Sequence, residues 1–577
     1  AGRWWGGSAA AGEVQFGGSA SLLQGEVKVP QEPVRSRAAA MLLPDSISQT
    51  AIAKLNLPAR TASMIKLIAL LESLNSDLSI DDPCRISGAE MVVGNLSCKA
   101  ASVIRDPLVL FINQVPDWIK ALLSAFPFLL SHNVRKSFFE LQAFGLLRAL
   151  KNASRDARSD RQPPHSQVQT QRQKVRVGRK YLLQSARKIM EIYTRQGIAA
   201  GSTLEVEFSG EVGIGAGPTQ EFFSSFCRDV QRRDLNLWWD PNGPASAKPS
   251  ADEAAAKSAE EEDSSAAGLV HSPHGLFPAP LAPDASAPER KKRIESFEVL
   301  GWICGKAVHD GRLLDLPLGV PFCRAVLGHP LEAGDLALIS PSVHATLERL
   351  RVIAANKAAG EGDTTLDGCD LADLTMSFTV PGYDSITLKE NGADTTLSLE
   401  TLEEYLDLVP RAVLVDCVRP LVEAFRNGFS KVVPVDSLRL FCVDEVQELL
   451  GAQDKGLENW TPEGLLHVFK FEHGYTSASP AARLLVQVLA ELPEEAKRKF
   501  IAFCTGCPRL PPGGFAGLRP ALTVVKKEST RDPADQQLPS VMTCANYLKL
   551  PEYSNPDVLR NRLLVAVTEA GGSFHLS

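Results

Sequence analysis

LPSVMTCANYLKLPEY occupies residues 538–553. Its cysteine, Cys544, follows a polar loop, Glu528–Ser540, and a Pro539-led connection, with Thr543 and Asn546 beside it as hydrogen-bonding groups. A thiol in such a connection can be solvent-exposed and open to attack, and connections carry function more often than core elements do. Most of the other cysteines look like core, and Cys227 and Cys304 sit in apolar helical contexts. Cys227 follows Phe222-Phe223-Ser224-Ser225-Phe226, and Cys304 follows Leu300-Gly301-Trp302-Ile303. Cys544 is therefore the candidate nucleophile, the alternative being a part-buried structural cysteine.

The flanks build a small α/β unit around this stretch. Leu522–Lys526 reads as a strand, and Ala481–Leu492 as a helix with Leu484, Val488, Leu485, Leu489 and Leu492 on its apolar face. The last helix takes Asn555 as N-cap and Pro556 as first residue. It buries Leu559, Leu563, Ala566 and Val567 and stops at Gly571-Gly572. Residues 474–577 form one lobe, joined through His473-Gly474-Tyr475-Thr476 to a larger one over 181–473. In the larger lobe, helices are expected at Leu399–Leu408 and Val413–Phe425. A β-hairpin is expected over Ser385–Leu399, with Ile386, Leu388, Leu397 and Leu399 flanking an Asn391-Gly392 turn.

Two segments interrupt the globular pattern. Residues 244–288 are 27 Ala, Ser or Pro out of 45, with an acidic run Glu260–Asp263, and read as a disordered insertion. Its apolar island, Gly275-Leu276-Phe277-Pro278, could dock onto the folded body. Residues 151–180 hold nine Lys or Arg against Asp156 and Asp160 and read as a solvated basic linker rather than a nucleic-acid patch. Before them, 46–150 is a helical extension by periodicity, and 1–45 is low-complexity sequence expected to be disordered.

Composition narrows the class. At roughly 150 residues per domain, 577 residues make three or four units. Hydrophobic residues at 44% and charged residues at 22% are globular values. No apolar run approaches the roughly 18 residues of a membrane span, and residues 1–20 lack a signal-peptide pattern. The missing initiator Met suggests a fragment. A net charge of −7 argues against a chain-wide grip on nucleic acid. Eleven irregularly spaced cysteines suit a reducing compartment, hence cytoplasm or nucleus.

Other motifs lead nowhere. Gly213-Ile214-Gly215-Ala216-Gly217-Pro218 has neither the dinucleotide spacing nor a Gly-Lys-Ser/Thr, and reads as a strand-to-helix turn with Pro218 at the first helical position. Cys504-Thr505-Gly506-Cys507 ends a helix and has no second ligand pair, so zinc and redox roles are set aside. Neither an H-E-x-x-H array nor a G-x-S-x-G motif occurs.

The run 538–553, the helix after it and the ending Ser573-Phe574-His575-Leu576-Ser577 resemble the catalytic lobe of the HECT ubiquitin-protein ligases. Gly213–Phe223 (GIGAGPTQEFF) resembles the glycine-turn-helix of that family's large lobe. Arg312–Phe322 (RLLDLPLGVPF) and Phe500–Pro511 (FIAFCTGCPRLP) also match. The His-Leu-Ser ending, Leu522–Lys526 and Asp106–Phe128 are most similar to the ubiquitin-fusion-degradation branch. The resemblance spans about residues 93–577, with the two linkers as insertions. Met542 stands where many relatives carry His and Ala545 where many carry Phe, and Cys504 and Cys507 replace residues that are usually not cysteine. The substrate-recruiting repeats of that branch are missing.

The resemblance implies an α+β bilobal fold: a mostly helical N-lobe with small β-hairpins and an α/β C-lobe, preceded by a helical segment. It implies that Cys544 takes ubiquitin from a conjugating enzyme as a thioester and yields it to a substrate lysine, with Thr543 and Asn546 supporting. Thiol-for-thiol exchange is nearly isoenergetic, so the acyl group stays activated for aminolysis without metal or cofactor. It further implies a conjugating-enzyme site within about 330–430, a swing of the small lobe about Gly474, and Phe574, fourth from the end, as a tail anchor. Partners would be the conjugating enzyme, ubiquitin and lysine-bearing substrates, with no membrane or nucleic acid. Two rivals follow: a scaffold that docks the conjugating enzyme without transfer, and a thiol protease, which lacks a local His signal.

Overall fold

A computed structural model of the chain describes residues 52–55, 57–77, 83–88, 90–112, 114–145, 171–211, 215–240, 268–282, 286–360, 364–366, 368–374, 376–451, 460–511, 513–528 and 533–569. Two compact units divide it, Ala1–Leu78 and Ser79–Ser577. The first contains helix α1, Ala59–Asp77, a run without interior Gly or Pro.

The second unit opens with α2 (Gly94–Ile104), α3 (Pro107–Ile112), α4 (Asp117–Ala125) and α5 (His132–Phe144). These are not a free-standing extension. Arg135 of α5 is buried, its Nε donating to Leu130 O at 3.0 Å, Nη1 to Leu440 O at 3.1 Å and Nη2 to Glu445 Oε1 at 2.7 Å. The Phe139 ring meets Phe441 edge-on with centroids 5.2 Å apart. Helix α5 thus packs on the large lobe through Leu440, Phe441 and Glu445.

The large lobe begins with a parallel pair, β1 (Arg172–Val177) and β2 (Thr203–Phe208), joined by α6 (Leu182–Arg195). This corrects the basic-linker reading of 151–180, whose last residues are strand. The charges alternate with Gln173, Val175 and Val177, so one face carries Arg172, Lys174 and Arg176 toward Glu205 and Glu207 of β2, at 3.5–4.0 Å. A charged strand face across from acids looks like a solvated run when only composition is read. Helix α7 (Ala216–Val230) follows, with N-cap Gly215 at φ 97°. Pro218 is therefore the third helical residue rather than the first.

The 244–288 insertion also needs correction, at its C-terminal end. Leu276, Phe277, Ala279 and Leu281 are core residues, and the backbone of Leu276 exchanges hydrogen bonds with Pro317 and Gly319. The apolar island does dock; Ala and Pro around it masked its burial. Helix α8 (Ala287–Asp310) then begins inside the expected insertion. Next come α9 (Val320–Leu327), α10 (Leu336–Ile339) and α11 (Pro341–Ala359). A hairpin of β3 (Thr379–Val380) and β4 (Tyr383–Thr387) turns at Gly382, φ 79°. The expected hairpin over 385–399 is thus displaced upstream. Asn391 does turn, at φ 56°, but into a 3-10 helix at Gly392–Asp394 under Phe378.

Helix α12 (Leu402–Arg411) contains Pro410 and passes into a π-helical turn, Ala412–Asp416, before α13 (Arg419–Ser430). Helices α8 and α13 touch backbone to backbone. A Cβ at Gly301 would fall 2.0 Å from Phe425 O, and one at Gly428 1.9 Å from Glu298 O. Around this crossing Trp238, Phe297, Phe322 and Phe425 form an aromatic core with centroids 5.1–6.3 Å apart. Helix α14 (Val443–Leu449) closes the lobe.

The small lobe is one four-stranded sheet with helices packed on it. Strand order is β5 (Lys470–Glu472), β6 (Thr523–Lys526), β8 (Tyr547–Leu550), β7 (Ser540–Met542), with only the β7–β8 pair antiparallel. Helices α15 (Pro462–Val468), α16 (Pro480–Glu491), α17 (Glu494–Thr505) and α18 (Pro556–Glu569) complete it. Leu485, Leu489, Phe500, Val524, Leu548, Leu559 and Leu563 meet in its core. So do Trp460 and Leu465, which moves the boundary from Gly474 to before Trp460. His473 and Gly474, at φ 45° and 98°, turn the chain at the end of β5 inside the lobe and are not a hinge between lobes.

Candidate active site

Strands β7 and β8 pair with Met542 opposite Tyr547, leaving Thr543, Cys544, Ala545 and Asn546 as the hairpin tip. The amides of Ala545 and Asn546 donate to Met542 O and Thr543 O at 3.1 and 3.4 Å. Asn546 closes the turn in the left-handed region, φ 53°, which asparagine tolerates better than most residues. Its side chain is buried, Nδ2 donating to Pro520 O at 2.6 Å, while its carbonyl accepts from Thr523 N at 2.9 Å. Both bonds tie the tip to the start of β6. Asn546 thus shapes the turn that presents the thiol; its side-chain amide bonds to the Pro520 carbonyl, not to Cys544.

Cys544 itself is exposed. None of the eleven cysteines forms a disulfide, and of the others only Cys84, Cys98 and Cys369 are exposed. Cys227, Cys304, Cys323, Cys417, Cys504 and Cys507 are buried. Burial pushes Cys323 and Cys507 up to about 12 and Cys417 to about 11. The thiolate is the nucleophile, so these groups are inert where they stand. The Cys504–Cys507 pair falls among them, at the end of α17 with Gly506 as cap, φ 80°.

The large lobe reaches this tip. A Cβ on Gly217 of α7 would lie 2.8 Å from Thr543 Oγ1 and 3.9 Å from Cys544 N. One turn and two turns on, Gln220 lies under Gly506, and Ser224 Oγ donates to Gly506 O at 2.9 Å. Arg509 Nε donates to Asp315 Oδ1 at 2.5 Å. Gln220 in turn holds the Asp315 turn, donating to Leu313 O at 2.7 Å and accepting from Leu313 N at 3.2 Å. Parts of the three upstream stretches that carried the resemblance, 213–223, 312–322 and 500–511, thereby meet one another, with Gly217 against the Thr543–Cys544 tip. Gly217, Asp315 and Arg509 lie inside the stretches quoted for the resemblance and Ser224 just beyond one of them, but their contacts with one another join positions far apart in the chain and left no local signal.

Of the remaining candidates, Thr543 faces Gly217 and Met542 is exposed. Phe574 lies outside the described residues. Among the described residues, no group of three or more His, Cys, Asp or Glu could hold a metal ion, and no helix is long and apolar enough to cross a membrane. Within 330–430, a cavity of about 580 Å³ opens between α11, the β3–β4 hairpin and α12, lined by Val343, Leu347, Met376, Thr379, Asp384 and Tyr405 among others.

A family model described as HECT-domain (ubiquitin-transferase) matches residues 224–577. The E3 ubiquitin-protein ligase UPL3 of Arabidopsis thaliana is 39% identical over 85% of this chain and 27% of its own length. For the E3 ubiquitin-protein ligase TRIP12 of Danio rerio the figures are 35%, 85% and 24%. For ubiquitin fusion degradation protein 4 of Saccharomyces cerevisiae they are 31%, 90% and 33%. The chain therefore spans about a quarter to a third of these curated relatives. With a helical large lobe, an α/β small lobe and an exposed cysteine where the two meet, the chain belongs to the HECT-domain (ubiquitin-transferase) family, on the branch that includes the ubiquitin fusion degradation proteins.

Proposed function

We propose that this chain is a ubiquitin-protein ligase unit in which Cys544 accepts ubiquitin from a conjugating enzyme and passes it to a substrate lysine, directing substrates toward degradation. The observation that carries this reading is the exposure of Cys544 at a hairpin tip braced by buried Asn546. The Cys544 sulfur attacks the carbonyl of the ubiquitin thioester; the conjugating enzyme's thiolate leaves and the new thioester forms. A lysine amine then attacks that carbonyl, loses its proton, and releases the Cys544 thiolate. Both steps need an accessible sulfur on a firmly held backbone, and the tip supplies that.

Thr543 and Asn546 act by shaping the tip, and Phe574 acts as tail anchor in the second step. The conjugating enzyme docks over the cleft between α11 and the β3–β4 hairpin, whose mixed lining of Val343, Met376, Tyr405 and Asp384 suits a partner's apolar loop. Eleven cysteines with no disulfide between them suit cytoplasm or nucleus.

The test is to incubate the chain with charged conjugating enzyme and look for a ubiquitin adduct that reducing agent removes. Wild type should form it and Cys544→Ala should not. An adduct surviving in Cys544→Ala moves the acceptor elsewhere; none in wild type leaves a docking scaffold. Phe574→Ala should form the adduct normally and discharge it to lysine about tenfold more slowly, read by single-turnover chase.

A further inference from the structure

Residue Gly217 has an ordinary helical backbone, unlike its neighbour Gly215 at φ 97°. Its lack of a side chain is therefore not explained by conformation. What requires it is the opposite lobe: Thr543 Oγ1 occupies the space a Cβ would take. The same face of α7 carries Gln220 and Ser224 at helical spacing, and both meet Gly506. Beside them Asp315, on a turn held by Gln220, binds Arg509, three residues past Gly506. Seat, hydrogen bond and ion pair thus lie in a row under the Cys504–Arg509 turn and the Cys544 tip. Cys507 is fully buried within this row, next to Ser224 and Asp315, although it is not part of the small-lobe core that encloses Cys504.

We infer that Gly217, Ser224 and Asp315 are positioning residues that latch the small lobe onto α7, and that this latched arrangement serves the transfer to lysine rather than the loading step. Loading brings a second folded protein, the conjugating enzyme, against the sulfur, and the tip must then follow that protein's own cysteine. Transfer needs only a lysine side chain to reach a thioester held still, and a latch that seats Thr543 against Gly217 while leaving Cys544 exposed meets that need. The inference rests on Cys544 being the acceptor and deepens that reading.

Three variants test it in the full chain. Gly217→Leu keeps a good helix former in α7 but fills the seat. Asp315→Arg opposes Arg509, and Asp315→Arg combined with Arg509→Asp restores an ion pair in reverse. Each is loaded from charged conjugating enzyme, then chased with free L-lysine. Loading should stay within about twofold of wild type, while discharge to lysine falls about tenfold or more in the first two and recovers in the swapped pair. Melting temperature should be unchanged. In parallel, mass spectrometry after brief maleimide exposure should find Cys507 labelled faster in the first two variants and Cys504 still protected.

Unchanged discharge in both single variants overturns the latch. Equal slowing of loading and discharge overturns its assignment to the second step. A fall in discharge accompanied by a lower melting temperature, without faster Cys507 labelling, makes these residues merely structural and likewise overturns it. If wild type forms no adduct at all, it is the acceptor role of Cys544 that has failed.

Discussion

On the proposed function, Asn546 is a side chain with no chemistry of its own that decides whether the tip cysteine is usable. Its left-handed backbone and its buried amide bond to Pro520 O hold the tip above β6. Asn546→Ala removes the hydrogen bond and puts alanine, which tolerates left-handed backbone less well than asparagine, at φ 53°. We expect a loss of about 1–3 kcal/mol in urea unfolding, with slower adduct formation at Cys544. Asn546→Gly, which accepts that backbone freely, should lose less stability. Equal losses would mean that the turn conformation is not what Asn546 provides. From the sequence, Thr543 and Asn546 were legible as polar neighbours of Cys544, but not as a contact to the other lobe and a backbone tie, because both partners are distant in the chain.

At the scale of elements, two junctions dominate. The α8–α13 crossing tolerates no side chain at Gly301 or Gly428, since the obstructing atoms are backbone carbonyls that cannot rotate away. Gly301→Ala should therefore destabilise by about 3 kcal/mol or more, measured as a shifted denaturation midpoint. An unshifted midpoint would mean that the helices can separate freely. The second junction joins α5 to α14. Burial pulls the Glu445 carboxyl upward, but hydrogen bonds from His132 and Arg135, the Arg135 charge and the Cys442 amide outweigh it and hold it at about 2. Unfolded, that carboxyl titrates near about 4.3. The folded value is the lower one, so this group's contribution is complete above about pH 5 and is lost as pH falls from about 4 to 2. Glu445→Gln should therefore show a smaller drop in urea midpoint between pH 5 and pH 3 than wild type does. Arg135→Ala leaves the mostly buried carboxylate without its main partner and should cost on the order of 3 kcal/mol at neutral pH.

For the molecule as a whole, the family match begins at residue 224, in the middle of α7. The physical unit begins much earlier. Leu204, Val206 and Phe208 of β2 are core residues, and α5 braces α14 through Arg135 and covers Phe441 with Phe139. A chain starting at residue 171 should thus melt several degrees below one starting at residue 83, and one starting at 224 should not fold. Equal melting of the first two would show that the helical extension adds nothing to the catalytic unit.

Much of this was readable one segment at a time. The last helix runs from an Asn555 cap, whose Oδ1 accepts from Val558 N at 2.9 Å, and buries the four residues its periodicity selects, Leu559, Leu563, Ala566 and Val567. The exposed cysteine follows equally from its place in a polar, proline-led connection. Such signals are local: a cap, a period, a turn residue. They depend on atoms within a few positions of one another, and the chain carries them unaided. What the tertiary structure alone decided is which surfaces meet. The charged face of β1 became a strand because Glu205 and Glu207 lie across from it. The Leu276–Leu281 island became core because the turn at Leu316–Gly319 receives its backbone. The boundary moved to Trp460 because its ring packs on Phe500 and Phe515. Gly217 opposite Thr543 belongs to the same class, since partners some 300 positions apart come together only through the packing of everything between them.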